Sequence, residues 1–129
     1  MSLGSKDQSK KKRIGFRHAW NGIKEVTRSE RNFKLHLFST VLVIISSAIL
    51  GLQAIEWSVI ILTCSIVLAL EMVNSSIERI LDYLAPEWNA LAGKIKDIAA
   101  GAVLVASIGA FVIACILLLP KLLILIGVE

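Results

Sequence analysis

An uncharged run from Trp57 to Leu70 passes directly into Glu71, Asn74, Glu78 and Asp82, and that junction constrains the chain more than any other feature. On one helix of ~100° per residue the four polar residues sit at roughly 0°, 300°, 340° and 20°, within an arc of about 80°. The apolar part is fit for lipid and the polar face is not. A carboxylate in hydrocarbon costs several kcal/mol unless it is paired, bound to a metal or lining water, so acids that share a face need cations brought to them. The face must therefore emerge at a membrane interface.

The rest of the chain agrees with a membrane setting. With 129 residues, 56% of them hydrophobic, and a mean hydropathy of +0.75, it is too apolar for an ordinary soluble domain and too short for more than one. Leu35 to Ile55 and Ile98 to Leu119 are uncharged and long enough to cross a bilayer core of ~30 Å. The expected fold is an all-α integral membrane protein, an N-terminal amphipathic surface helix followed by three transmembrane helices over about 35–55, 57–82 and 98–119. Residues 14–129 read as a single membrane domain behind a basic, disordered tail, residues 1–13. Pro86, preceded by Ala85, ends the second helix; a polar loop from Glu87 runs to Lys94, Lys96 and Asp97; Pro120 and Lys121 mark the exit of the third span.

Charge sets the orientation. Ten of the fourteen Lys and Arg residues, from Lys6 to Lys34, precede the first span, which places the N-terminus in the cytoplasm by the positive-inside tendency. Gly51, Gln53 and Glu56 mark a turn without Lys or Arg on the outer side, whereas Arg79, Lys94 and Lys96 return the next loop to the cytoplasm and leave the C-terminus outside. Between Ile14 and Val26 the residues Phe16, Ala19, Trp20, Ile23 and Val26 recur at helical spacing, the pattern of a helix lying on the bilayer with Trp20 as its anchor. The run Lys10 to Arg13 suits anionic headgroups, and no nucleic-acid partner is expected. Cys64 and Cys115 lie in separate apolar segments and read as free thiols. His18 and His36 are too far apart to suggest zinc. Small residues along the third span, Ala99 to Ala102, Ala106, Gly109, Ala110 and Ala114, favour close packing on the second span or on a neighbouring subunit.

Phosphoryl transfer needs carboxylates for Mg²⁺, a base at the acceptor hydroxyl and cations on the transferring group. This chain places each type near one interface: Glu30 and Glu78 to share the metal, Glu71 deepest where a lipid hydroxyl would arrive, and Lys96 with Asp97 where the third helix re-enters the membrane. Neither a P-loop nor a G-x-G-x-x-G run occurs. From the residues alone a proton or ion path explains intramembrane acids as well. A non-catalytic subunit whose acids only pair with Arg79, Lys94 and Lys96 is a third reading, and it predicts tolerance of amide replacements.

At these residues the chain resembles the small prokaryotic lipid kinases that include diacylglycerol kinase and undecaprenol kinase. Glu71-Met72-Val73-Asn74-Ser75-Ser76-Ile77-Glu78-Arg79-Ile80-Leu81-Asp82 fits the family's E-x-x-N-[ST]-[SA]-I-E-x-x-x-D motif, and Gly93 to Val103 fits its A/G-x-x-K-D-x-x-[AS]-[AG]-A-V element. The resemblance covers roughly Phe16 to Pro120. It implies a bacterial multi-pass plasma-membrane homotrimer with active sites shared between subunits at the cytoplasmic interface, using ATP with Mg²⁺ to phosphorylate a membrane lipid alcohol. By the same resemblance Glu71 is the catalytic base, Glu30 and Glu78 are metal-associated carboxylates, and Lys96, Asp97, Glu87 and His18 stand at nucleotide positions. Asn74 and Asp82 orient the site. Trp88, Asn89 and His18 depart from the residues of the diacylglycerol kinase branch, while Glu30 to Phe33, His36, Pro120 and Lys121 are more similar to the undecaprenol kinase branch, so undecaprenol is the favoured substrate and diacylglycerol the alternative.

Overall fold

The structure, a computed structural model, describes residues 3–127. It is all-helical among those residues: α1 (Leu3–Ser29), α2 (Arg31–Ile49), α3 (Ala54–Leu84) and α4 (Ala90–Leu125). The last three are long and apolar enough to cross a membrane, as the three uncharged runs require. α3 is the organising element, packed chiefly on α4, then on α2, with α1 laid across α2 and α3.

α1 begins at Leu3 and so takes in the run that reads as a disordered tail. Lys, Arg and Gln are good helix formers, and neither Gly nor Pro interrupts Ser5 to Ile14, so nothing local opposes a helix even without apolar periodicity. Further on, Phe16, Trp20 and Ile23 are exposed while Val26 is buried; the exposed row is what a bilayer surface covers. A single residue, Glu30, separates α1 from α2, in an extended conformation (φ −96°, ψ 119°). Lys34 Nζ donates to the Arg28 carbonyl at 2.8 Å, satisfying one of the acceptors that the end of α1 leaves open.

The first span stops at Ile49, not at Ile55. Gly51 takes φ 64°, a left-handed conformation that glycine adopts without a Cβ penalty, and Gln53 caps α3 in a reciprocal box with Glu56. These two signals place the turn inside the apolar run. The 19 residues of α2 still rise about 28 Å at 1.5 Å each, close to a hydrocarbon core. α3, with 31 residues, outruns the core and carries its polar face past the interface before ending at Leu84, ahead of Ala85 and Pro86, as expected.

α4 differs from expectation at both ends. The polar loop is only residues 85–89 long, because the Asn89 side chain accepts from Leu91 N at 2.9 Å and Ala92 N at 3.1 Å and caps a helix there. Lys94, Lys96 and Asp97 thus lie on the first turns of α4. Pro120 does not end the span; it sits inside α4, which continues to Leu125. Proline removes one backbone donor, and the next residue, Lys121, ties this stretch to α3 through Glu56 at 3.1 Å. α4 packs on α3 as the small residues suggest, yet a Cβ added at Gly101 or Gly109 would meet nothing within 4 Å, so those glycines are not required for any close approach within the chain.

Candidate functional site

The polar face of α3 divides into two groups. The deeper one is buried: Glu71, Asn74 and Ser75 expose 3%, 5% and 2% of their surface, since positions three and four apart stack on one helix face. One turn further, half-buried Glu78 accepts from Asn74 Nδ2 through Oε1 at 3.0 Å. That bond fixes both side chains and leaves Asn74 Oδ1 buried with no partner among the described residues. Glu71 forms no ion pair among the described residues and lies within electrostatic reach of His36, Glu78 and Glu30. Four predicted residues, Glu30, Glu71, Asn74 and Glu78, are thereby brought together.

Glu30 reaches this group from the α1–α2 break. Its Oε1 accepts from Arg79 Nη2 at 2.9 Å and from Ser29 Oγ at 3.3 Å. Arg79 also donates to Ser29 Oγ at 2.5 Å and to Glu25 Oε1 at 3.3 Å. Glu30 is therefore in a salt bridge, with the residue that follows Glu78.

The second group lies at the α3–α4 turn. Lys96 Nζ donates to Asp82 Oδ1 at 2.5 Å, and both line a cavity of about 270 Å³ together with Glu87, Trp88, Asn89 and Gly93. Asp82 shares the ladder's face but lies beyond the buried segment, exposed and paired with α4. His18 on α1 and Asp97 on α4 are exposed and enter neither group within this chain.

A second cavity, also about 270 Å³, is bounded by all three spans: His36, Ser39, Thr40 and Val43 of α2, Ile60, Thr63, Cys64 and Val67 of α3, and Ser107, Ala110, Phe111 and Ala114 of α4. His36 lines this cavity and lies within electrostatic reach of Glu71, a role that the sequence does not indicate; the pairing of Arg79 with acids is as the sequence suggests, with Glu25 and Glu30 as its partners, while Ser29 carries no such signal. The available signal was that a base flanked by acids on a half-buried helix needs partners from another element.

Residues 17–118 match the family described as prokaryotic diacylglycerol kinase. The chain belongs to the prokaryotic diacylglycerol kinase family. Among its relatives, a diacylglycerol kinase of Synechocystis sp. is 40% identical over 111 residues, 85% of this chain and 63% of that protein. An undecaprenol kinase of Bacillus subtilis is 38% identical over 107 residues, 83% of this chain and 87% of its own. A diacylglycerol kinase of Escherichia coli is 31% identical over 101 residues, 78% and 83% of the two chains. The chain thus spans about two thirds or less of the Synechocystis relative and most of the other two. It is a membrane protein of a lipid kinase family, and both groups of polar residues fall inside the matched region.

Proposed function

We propose that this protein is an ATP- and Mg²⁺-dependent lipid kinase that phosphorylates the primary hydroxyl of a membrane lipid, undecaprenol in first place. The observation that carries the reading is Glu71, a buried carboxylate with no ion pair among the described residues, one helical turn along α3 from Val67, which lines the cavity between the three spans. Glu71 takes the hydroxyl proton, the lipid oxygen forms its bond to the γ-phosphorus, and the bond from that phosphorus to the β–γ bridging oxygen breaks, so that ADP leaves.

Magnesium prefers one or two carboxylates, waters and phosphate oxygens to a cage made only of protein. The residues fit that demand: Glu78 is oriented by Asn74, and the buried Asn74 Oδ1 is an unused acceptor. Glu30 and Glu78 would hold the ion, which when bound neutralises phosphate charge. Lys96, Glu87, Asp97 and His18 serve the nucleotide. Lys96 then exchanges Asp82 for phosphate oxygens, and Asp82 keeps it aimed until it does.

The cavity bounded by α2, α3 and α4 suits an apolar chain whose hydroxyl lies near His36 and Glu71. Similarity to the Bacillus subtilis undecaprenol kinase along 87% of that protein supports undecaprenol; the higher identity to the Synechocystis diacylglycerol kinase supports diacylglycerol as the second reading. The apolar side chains exposed on α2 and α4, among them Phe38, Leu104 and Phe111, face lipid and the other subunits of a homotrimer with shared sites. The trimer sits in the bacterial plasma membrane with the N-terminus in the cytoplasm and the C-terminus outside.

Transfer of labelled γ-phosphate from Mg-ATP tests this, with undecaprenol and diacylglycerol offered separately to purified protein and Glu71→Gln as control. Label in one lipid, absent with the variant, establishes the kinase and names its substrate. Label in neither, with folded protein, returns the acids to an ion path or a scaffold.

A further inference from the structure

We propose that Arg79 is a positioning residue of the kinase site, tying the α1–α2 break to α3 so that one oxygen of Glu30 is held and the other is presented to the metal-bound nucleotide. The inference rests on the reading of Glu30 as a metal-associated carboxylate. Its basis is how the break is secured. α1 and α2 are separated by one extended residue, and a carboxylate on such a hinge points wherever its neighbours hold it. Arg79 comes from α3, 49 positions along the chain from Glu30, and takes Oε1 at 2.9 Å. The same guanidinium holds Ser29 Oγ at 2.5 Å and Glu25 Oε1 at 3.3 Å, so both residues before the break and the break itself are fixed to α3.

The single Ser29 hydroxyl proton has the Glu25 carbonyl at 2.9 Å as its nearer acceptor and Oε1 at 3.3 Å as the farther one. The contacts to the carboxylate thus fall on one oxygen, and Oε2 has no hydrogen-bond partner among the described residues. Arg79 follows Glu78 on α3, about 100° around the helix, so the residue that holds Glu30 stands on the same turn as the other carboxylate proposed for the metal. A planar fork reaches separate acceptors at once, whereas an ammonium is a single point charge. Lysine at this position keeps the charge and loses the geometry.

The experiment compares Arg79→Gln, Arg79→Lys and Glu30→Gln in the full-length protein. Three readouts are taken: KM and kcat for Mg-ATP and for the lipid, Mn²⁺ binding with ATP by electron paramagnetic resonance, and amide exchange of residues 15–29. Arg79→Gln raises KM for Mg-ATP and weakens Mn²⁺ binding by about tenfold, the loss of roughly one charge-assisted hydrogen bond, with KM for the lipid unchanged and faster exchange near Ser29. Arg79→Lys gives a partial loss in the same two quantities and serves alone if Arg79→Gln does not fold. Wild-type Mn²⁺ binding in both Arg79 variants while Glu30→Gln weakens it overturns this inference alone; tighter Mn²⁺ binding in Arg79→Gln also overturns it, by making Arg79 a competitor. Unchanged Mn²⁺ binding in Glu30→Gln overturns the metal reading of Glu30 on which it rests.

Discussion

The two ends of the helical bundle treat their acids in different ways. At the α2–α3 turn Glu56 accepts from Gln53 N at 2.7 Å and from Lys121 at 3.1 Å, both through Oε2, so its charge is matched. At the other end Glu25, Glu30 and Asp82 are paired too, by Arg79 and Lys96, but Glu71 is buried without an ion pair among the described residues and Asn74 leaves Oδ1 unused. Burying polar groups without partners is costly. On the proposed reading that end is left open for a ligand, while the end closed by Glu56 and Lys121 joins α3 to α4.

The largest expected effect breaks the open end. Glu71→Gln removes the proposed base without changing the shape of the side chain, and lowers kcat by about 10²–10⁴-fold, the contribution general-base catalysis makes, with helical content unchanged; near-normal phosphate transfer would remove Glu71 from the proposed mechanism. Next come Glu78→Gln and Glu30→Gln, each expected to weaken the Mg²⁺ titration of activity by about tenfold to a hundredfold, the range that even outer partners of a metal ligand command. An unchanged titration would make the inner acids as structural as Glu56.

This contrast was partly legible in the sequence. The shared face of Glu71, Asn74 and Glu78 follows from helix periodicity, which tertiary packing cannot alter, and the three spans follow from uncharged length. Depth is harder to read: Asp82 keeps the same angular position, yet α3 has left the buried segment by then, so it pairs with Lys96 at the turn. Lys96 reads as a loop residue because Asn89 reads as loop and not as the cap it forms, and Pro120 reads as an exit although α4 runs on to Leu125. Arg79 reads only as a cation that pairs with acids, and His36 only as too far from His18 for zinc, for a different reason. Their partners lie on other helices, and no local spacing encodes a contact made across 49 or 54 residues.

A milder change sharpens the comparison from the completed end. Glu56→Gln and Lys121→Met should each lower the melting temperature by a few degrees without changing kcat, and the double variant should cost less than the two losses combined, because residues in one ion pair are not independent. Thermal unfolding of the four proteins in one detergent measures it. A fall in kcat with intact stability would mean that the outer end reaches the chemistry.

The smallest effect concerns the basic run outside both ends. Replacing Lys10 to Arg13 by neutral residues removes an attraction to anionic headgroups worth about 1 kcal/mol per charge near a membrane surface, an interaction that neutral detergent does not offer. Phosphate transfer in such detergent should therefore stay near the wild-type rate, while association with vesicles rich in anionic lipid weakens. A large loss of rate in detergent would place those cations at the nucleotide, and the open end of the bundle would then extend along α1 well beyond Glu30.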